Sequence, residues 1–567
     1  MHSTADKRLF WASFLTLIAA GIGFSIRGSI LGNWGQQFGF TQGELGNITG
    51  GGLVGFGITI IALSFFADRI GYGPLMILAF LLHTASAVVT LAATPIFDAY
   101  GKEATFQCLY WGMFLFALGN GTCEAVINPL TATLYPENKT HWLNILHAGW
   151  PGGLILGAVM GLIFEATGTR WEVQMGVFLV PTLMYGLLML GQPFPRSEAK
   201  SAGITLEGMM QELGLLGAAV AVVLLGVWMT EPKNGLGLNP IVGWGIAAVL
   251  LGLFGFFSSF RLGHWMLAFL LVLHAMVGYV ELGTDSWITN ITGTILDNKT
   301  YGLMLFIWTS GLMFALRFFA GPIVHQISPL GLLFGSAVLG TIGLLLLGSV
   351  SGALLLIVAA TIYGLGKTFY WPTMLGVVSE RYPRGGALTL GTIGGVGMLS
   401  AGLLGGPGIG YKQDYAASHY LQEKAPETYQ RYRSNDENRF LFFPPIAGLD
   451  GSKVATLNSN GAQLQADIAA LEKSGRQLSD DKNLEKLNVW WQGAKAFESQ
   501  DRPAVKDATL HGGRQALIWT AAVPATMALG YLLLIFYFRA QGGYQQVHLG
   551  GDVDEKKTLA SEYQTAP

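Results

Sequence analysis

The chain has 567 residues, of which 51% are hydrophobic and only 12% charged, with a formal net charge of −2; an ordinary soluble chain carries roughly 25% charged residues. That deficit excludes an ordinary soluble protein and points to a bundle of membrane helices with lipid as its main surroundings. The lack of a dense basic run excludes nucleic acid as a partner, and 78 glycines without a triplet period exclude collagen while suiting closely packed membrane helices.

A membrane span needs about 20 mostly apolar residues, and such runs lie near 9–32, 45–66, 74–94, 106–134, 142–165 and 173–192. Lys7 and Arg8 precede the first run, which continues past residue 20 without a clear cleavage site, so it reads as a span rather than a signal peptide. Cys108 and Cys123 are too far apart along one helix to form a disulfide. After the polar stretch "QPFPRSEAKSAGITLEG" come runs near 211–229 and 240–259, then 264–290, 302–321, 330–350, 353–379, 386–410 and 514–538, making roughly fourteen spans.

Basic residues in short loops set the orientation. Lys7, Arg8, Arg69, Lys139, Arg196, Lys200, Arg261, Arg381, Arg384, Arg539 and Lys556 fall on one side, and Lys102, Arg170, Lys233 and Lys299 on the other. The first side is expected to be the cytoplasm of a cell with this protein in its inner or plasma membrane. The organisation read from these runs is a six-helix bundle at 1–192, a cytoplasmic linker at 193–210, an inserted hairpin at 211–259, second-bundle helices at 260–410, an extracytoplasmic insertion at 411–513, a last transmembrane helix at 514–538 and a polar, mobile cytoplasmic tail at 539–567. Within the insertion Leu464, Ile468, Leu471 and Leu478 recur at helical spacing, which predicts a small helical cap.

The halves repeat each other. "GNGTCEAVINPLTATLYP" from Gly119 is echoed by "GLGKTFYWPTMLGVVSERYP" from Gly364, each with a glycine pair, a proline near mid-helix and a closing Tyr-Pro. Parallel six-helix repeats typify the major facilitator fold, whose substrate site lies between the halves near the midplane. "ADRIG" at Ala67 to Gly71 resembles a shortened form of that superfamily's loop motif, with Tyr72 and Gly73 in place of its paired basic residues. The text around Gly119, Gly121, Glu124, Asn128 and Pro129, "YWPT" at Tyr370 and "RFFAGPIVHQISP" at Arg317 resemble the fucose/proton symporter family of sugar transporters. The resemblance covers most of twelve core helices but neither the hairpin nor the insertion. It implies an all-α transporter of two six-helix bundles, importing a monosaccharide or related polar solute together with protons.

Glu124, Asn128 and Thr131 share one helix face, a polar stripe on which Asn128 is a candidate solute ligand. An ionisable residue inside a span normally faces the interior or a pathway, and the resemblance implies proton coupling for Glu124. A carboxylate permanently paired with Arg27 or Lys367 is the alternative reading. Asn144, His147 and Trp150 in the next run are candidate sugar ligands, since amides, imidazole and indole suit hydroxyls and an apolar sugar face; an interhelical hydrogen bond for Asn144 and plain packing for Trp150 stay open. Glu281 and Asp285 form a second acidic stripe near Trp287, able to hold a cation or share a proton, which keeps Na⁺ beside H⁺ as a coupling ion. Glu281 and Trp287, with Lys367, Tyr370 and Trp371, complete the substrate set, and Glu124 or Glu281 is expected to partner Lys367. Asp68 and Arg69 read as gate charges, and Arg317 as a gate residue near a span end that snorkels to the interface.

One departure concerns the first run. The resembled symporters carry an acid there, whereas "SIRGSILGNWGQQF" offers Gly28 with basic Arg27 beside it, a charge expected to face the cavity between the halves, where it would select an anionic solute. Uniport, or a carrier of organic anions or sugar acids, therefore remains the alternative. No phosphate loop, HExxH or GxSxG constellation argues for an enzyme, and no metal or organic cofactor is expected. A non-transporting solute sensor is a further reading, with the insertion as its partner-binding element; the chain is expected to be monomeric.

Overall fold

The computed structural model describes residues 4–40, 42–50, 52–232, 235–473, 475 and 477–549. Lys233 and tail residues 550–567, Lys556 among them, lie outside the described residues. The main helices of the first half are α1 (Thr4–Ser29), α2 (Gly52–Ile70), α3 (Tyr72–Leu91), α4 (Ala93–Leu134), α5 (Lys139–Thr167) and α6 (Leu179–Met189). Helices α1 and α5 pack backbone to backbone: a Cβ on Gly21 would lie 2.5 Å from the Trp150 carbonyl oxygen, so only glycine permits this approach. Thirteen helical stretches among the described residues are long and apolar enough to cross a membrane. Helix α4 is not one of them, because Asn120, Glu124 and Asn128 interrupt its apolar text. With α4 included, the roughly fourteen spans expected from the sequence are all present.

The hairpin follows as α7 (Leu206–Thr230) and α8 (Pro240–Phe257). Helix α7 packs on the second half, while α8 leaves Ile241, Val249 and Phe256 exposed, as a lipid-facing outer helix would. The second half comprises α9 (Trp265–Ile295), α10 (Lys299–Arg317), α11 (Ala320–Ser349), α12 (Ala353–Lys367), α13 (Tyr370–Arg381), α14 (Gly386–Ser400), α15 (Gly406–Lys424), α16 (Glu498–Thr520) and α17 (Ala522–Ala540).

The repeat is visible in the backbone. Tyr135 (φ −129, ψ 62) and Tyr382 (φ −127, ψ 52) leave their helices in nearly the same conformation, each followed by a 3-10 turn that begins on proline. The second copy is longer by two residues, and the non-helical step Thr368–Phe369 between α12 and α13 falls inside it. A similar step at Phe318–Phe319 separates α10 from α11, and the chain turns into its next crossing only at Ser328 (φ 64). Two of the second half's crossings are thus broken helices. This corrects the expected run 302–321: Arg317 lies eleven residues, about 16 Å, before the turn rather than at a span end.

The insertion begins as a continuation of its flanking spans. Helix α14 runs through a π turn (Ala401–Gly405) into α15, which pairs with α16 as a helical stalk. On the stalk sits a small helical domain with its own core, including Leu421, Tyr432, Leu457, Leu484 and Trp491. Of the leucines expected at helical spacing, Leu464 and Leu471 are buried in that core, and Ile468 and Leu478 pack against it. Asp501, fully buried, accepts from Thr428 and Arg431 and fixes the domain to α16. Among the described residues the only strand-like pairs are the isolated bridges Arg433↔Leu449 and Asn438↔Ile446.

Candidate functional site

The polar face of α4 meets α5 deep in the bundle. Asn128 donates from Nδ2 to Glu124 Oε2 at 2.6 Å, and its Oδ1 lies 2.8 Å from His147 Nε2. An amide oxygen only accepts, so His147 donates from Nε2 and the chain reads His147, Asn128, Glu124. All three are buried, at 2–3% exposure, and His147 Nε2 lies 4.0 Å from Glu124 Oε2. Glu124 therefore rests on an amide and an imidazole, and neither Arg27 nor Lys367 pairs with it, so the alternative reading of a permanent ion pair does not hold.

The second half answers with cations. Arg317 donates from NH2 to Glu281 Oε1 at 3.1 Å, from NH1 to the His147 carbonyl at 2.7 Å and from Nε to the Thr368 carbonyl at 2.7 Å. Both carbonyls are free for a simple reason. In a helix each would accept from the residue four positions later, and those positions hold Pro151 and Pro372, which have no N–H. Arg317 thus ties three elements of the second half to α5 of the first at 1% exposure, and it does not snorkel to the interface. Lys367, fully buried at the end of α12, pairs with Asp285 at 2.5 Å instead of with Glu124 or Glu281. The two carboxylates of α9 accordingly do not share a cation or proton with each other; each has its own base. Glu281 Oε2 stays buried without a hydrogen-bond partner, as does Asn144 Oδ1.

Asn144 crosses the halves as well, donating from Nδ2 to Thr373 Oγ1 at 3.1 Å and to the Thr140 carbonyl at 2.8 Å. Below it, on the face that carries both chain ends, the halves are clamped. Glu380 accepts at 2.6 Å from the Thr140 hydroxyl, and Lys139, held by Glu198 at 2.5 Å, donates to the Ser379 carbonyl. Asp68 Oδ2 accepts from the Ala387 amide at 3.3 Å while its carbonyl receives Lys200 Nζ. The start of the tail joins the clamp: Tyr544 donates to Glu380 Oε2 at 2.7 Å and Gln546 to the Pro136 carbonyl at 2.5 Å. Arg69 is exposed and makes no ion pair among the described residues, so only Asp68 of the expected gate pair reaches across.

Several expected ligands lie elsewhere. Tyr370 donates to the Ser336 carbonyl inside the second half, Trp287 donates to the Gly406 carbonyl beside the π turn, and Trp150 packs edge-on against Phe24. Arg27 is buried within the first half between the rings of Phe116 and Phe178 and donates to Ser86 at 2.6 Å, away from the acid cluster. Trp371 does reach the centre, through a residue the sequence reading missed. Its ring lies 4.6 Å from that of His274, whose nitrogens are both buried without a hydrogen-bond partner, and His274 is close enough to His147 to interact electrostatically. The signal was a lone imidazole in the apolar text "LVLHAMVG". Among the described residues no group of three or more His, Cys, Asp or Glu is placed to hold a metal ion.

The family described as the Major Facilitator Superfamily matches residues 13–407. No curated protein matches the sequence. Among solved structures, the transporter FucP of E. coli in the outward conformation is 16% identical, with a TM-score of 0.50 over 72% of this chain and 92% of its own. The E. coli proton:xylose symporter XylE is 13% identical, with a TM-score of 0.53 over 74% and 91%. The human organic anion transporter MFSD10 is 11% identical, with a TM-score of 0.52 over 93% and 100%. At these identities the likeness is one of fold.

Proposed function

The chain belongs to the Major Facilitator Superfamily and is a multi-pass membrane transporter, and on that premise we propose that it imports a monosaccharide or similar small polyol together with a proton. The observation that carries this reading is Glu124, a buried carboxylate held by Asn128 and His147 and by no cation. Such a group can gain or lose a proton without stranding a partner charge, whereas a carboxylate paired with arginine cannot. Proton loss would leave a buried anion at the seam between the halves, which favours the arrangement that admits water to it.

Solute recognition is assigned to the groups around Arg317. Glu281 Oε2 and Asn144 Oδ1 are unfilled acceptors, the right counterpart for hydroxyl donors. The ring nitrogens of His274 can give or take a further hydrogen bond, and Trp371 presents an aromatic face of the kind sugars stack on. Transport would then rock one half against the other, breaking the bonds from Arg317 to the His147 carbonyl and from Thr140 to Glu380. The chain ends are assigned to the cytoplasm, from the basic residues gathered on that face, and the membrane to the cell or plasma membrane.

The test is uptake of labelled monosaccharides into proteoliposomes with and without an imposed pH gradient, together with counterflow at equal pH. Accumulation driven by external acid supports the proposal. Uptake of hexuronates with no response to neutral sugars would make the protein an anion carrier, the activity printed for MFSD10.

A further inference from the structure

Where the insertion meets the last span there is a cavity of about 560 Å³, lined by none of the residues of the central cluster. Its walls are mainly apolar and rich in aromatic rings, with Tyr411 and Tyr415 of α15, Trp519 of α16 and Phe443 of the insertion. Lys412 enters it. Among the described residues no carboxylate pairs with that lysine: its ammonium donates to Thr520 Oγ1 at 3.2 Å and lies 5.1 Å from the Tyr279 ring centre.

The cavity opens sideways. Ala522 and Thr526, which line it, are exposed and continue along α17 into Leu529, Leu533 and Phe536, exposed by 65%, 64% and 56%. That is one helix face, and in a membrane span such a face meets lipid. Thr526 lies about 20 Å from Arg539 at the far end of α17, and Ala522 about 26 Å, so the mouth falls in the half of the bilayer nearest the insertion. Beside it the insertion presents Leu441, Phe442 and Phe443, with Phe442 exposed by 87%. Such a tip on a surface otherwise built for water is suited to the headgroup boundary, where aromatic side chains gather. An aromatic chamber, a lateral mouth in the acyl region and one uncompensated cation near headgroup level match a single class of ligand.

We propose that this cavity binds an anionic phospholipid from the leaflet on the insertion side, its phosphate on Lys412 and its upper acyl chain along Trp519 and Thr526. Polar contacts from Lys412 and Thr520 would hold the headgroup, and the Leu441–Phe443 tip would anchor the insertion over it. Bound lipid would thereby tie the external domain to the last span.

The test uses the full-length protein in vesicles of zwitterionic lipid doped with phosphatidylglycerol that carries a photoreactive acyl chain, followed by peptide mapping. Labelling of the segments around Tyr411–Tyr415 and Trp519–Thr526 is expected, exceeding that by the matching phosphatidylcholine probe by about fivefold, the preference one interfacial lysine provides. Lys412→Gln should remove the preference but not the basal labelling, and Thr526→Trp, which fills the mouth from the lipid side, should lower labelling by both probes. Excess inorganic phosphate should not compete. Equal labelling by the two headgroups, a preference that survives Lys412→Gln, or displacement by inorganic phosphate would overturn the proposal.

Discussion

The two halves place ionisable groups at comparable depths and treat them in opposite ways. In the first half Glu124 rests on neutral partners, an amide and through it an imidazole. In the second half Glu281 and Asp285 each face a cation, Arg317 and Lys367, at positions where a helix has broken. The contrast follows from the same repeat read twice. Helix α4 stays continuous past Pro129, whereas the second copy breaks at Thr368–Phe369, and the Thr368 carbonyl freed there becomes an acceptor for Arg317. A carboxylate with neutral partners can change its charge at modest cost; one locked to a guanidinium anchors its surroundings. One half is built to titrate and the other to hold.

The largest test removes the holding side. Arg317→Met strands Glu281 and two backbone carbonyls, so a loss of about 3–5 kcal/mol in stability is expected, read as a lower thermal midpoint in detergent with both exchange and accumulation abolished. Lys367→Met should cost less, since the Asp285 side chain retains 12% exposure, and the double change with Asp285→Asn should recover most of the midpoint; failure to recover would show that the pair is not the lysine's main role. Glu124→Gln keeps a hydrogen-bond acceptor for Asn128, so the midpoint should move little while pH-driven accumulation disappears and counterflow persists in part. Unaltered accumulation in that variant would remove the distinction between the halves. The smallest effect is expected for Tyr544→Phe, which deletes one hydroxyl bond to Glu380 and should cost about 1 kcal/mol, seen as faster labelling of a cysteine placed at Thr373 from the terminus-bearing face.

What was legible in the sequence had a chemical oddity to announce it. Glu124 and Asn128 stood out as polar groups in apolar text, the Tyr-Pro repeat marked two equivalent helix exits, and leucines at helical spacing marked the cap on the insertion. His274 carried the same kind of signal and was overlooked. Arg317 was misplaced because hydropathy ended its span too early: the break at Phe318–Phe319 does not interrupt the crossing, which continues to the turn at Ser328. Tyr370 and Arg27 were read as facing the seam, yet both point into their own half, toward Ser336 and Ser86. A helical wheel gives the angle between side chains, but not which neighbour lies on each side.

The sequence by itself determined an all-helical membrane protein, its roughly fourteen crossings and the repeat that divides it, because apolar length and side-chain period are local properties that every residue reports. Partner choice was decided only by the tertiary structure. Arg317 finds the carbonyls freed by Pro151 and Pro372, and Lys367 finds Asp285 rather than Glu124, because an ion buried in lipid surroundings must pair with whatever group the packing brings within about 3 Å. That separation is set by helices remote from one another in the chain.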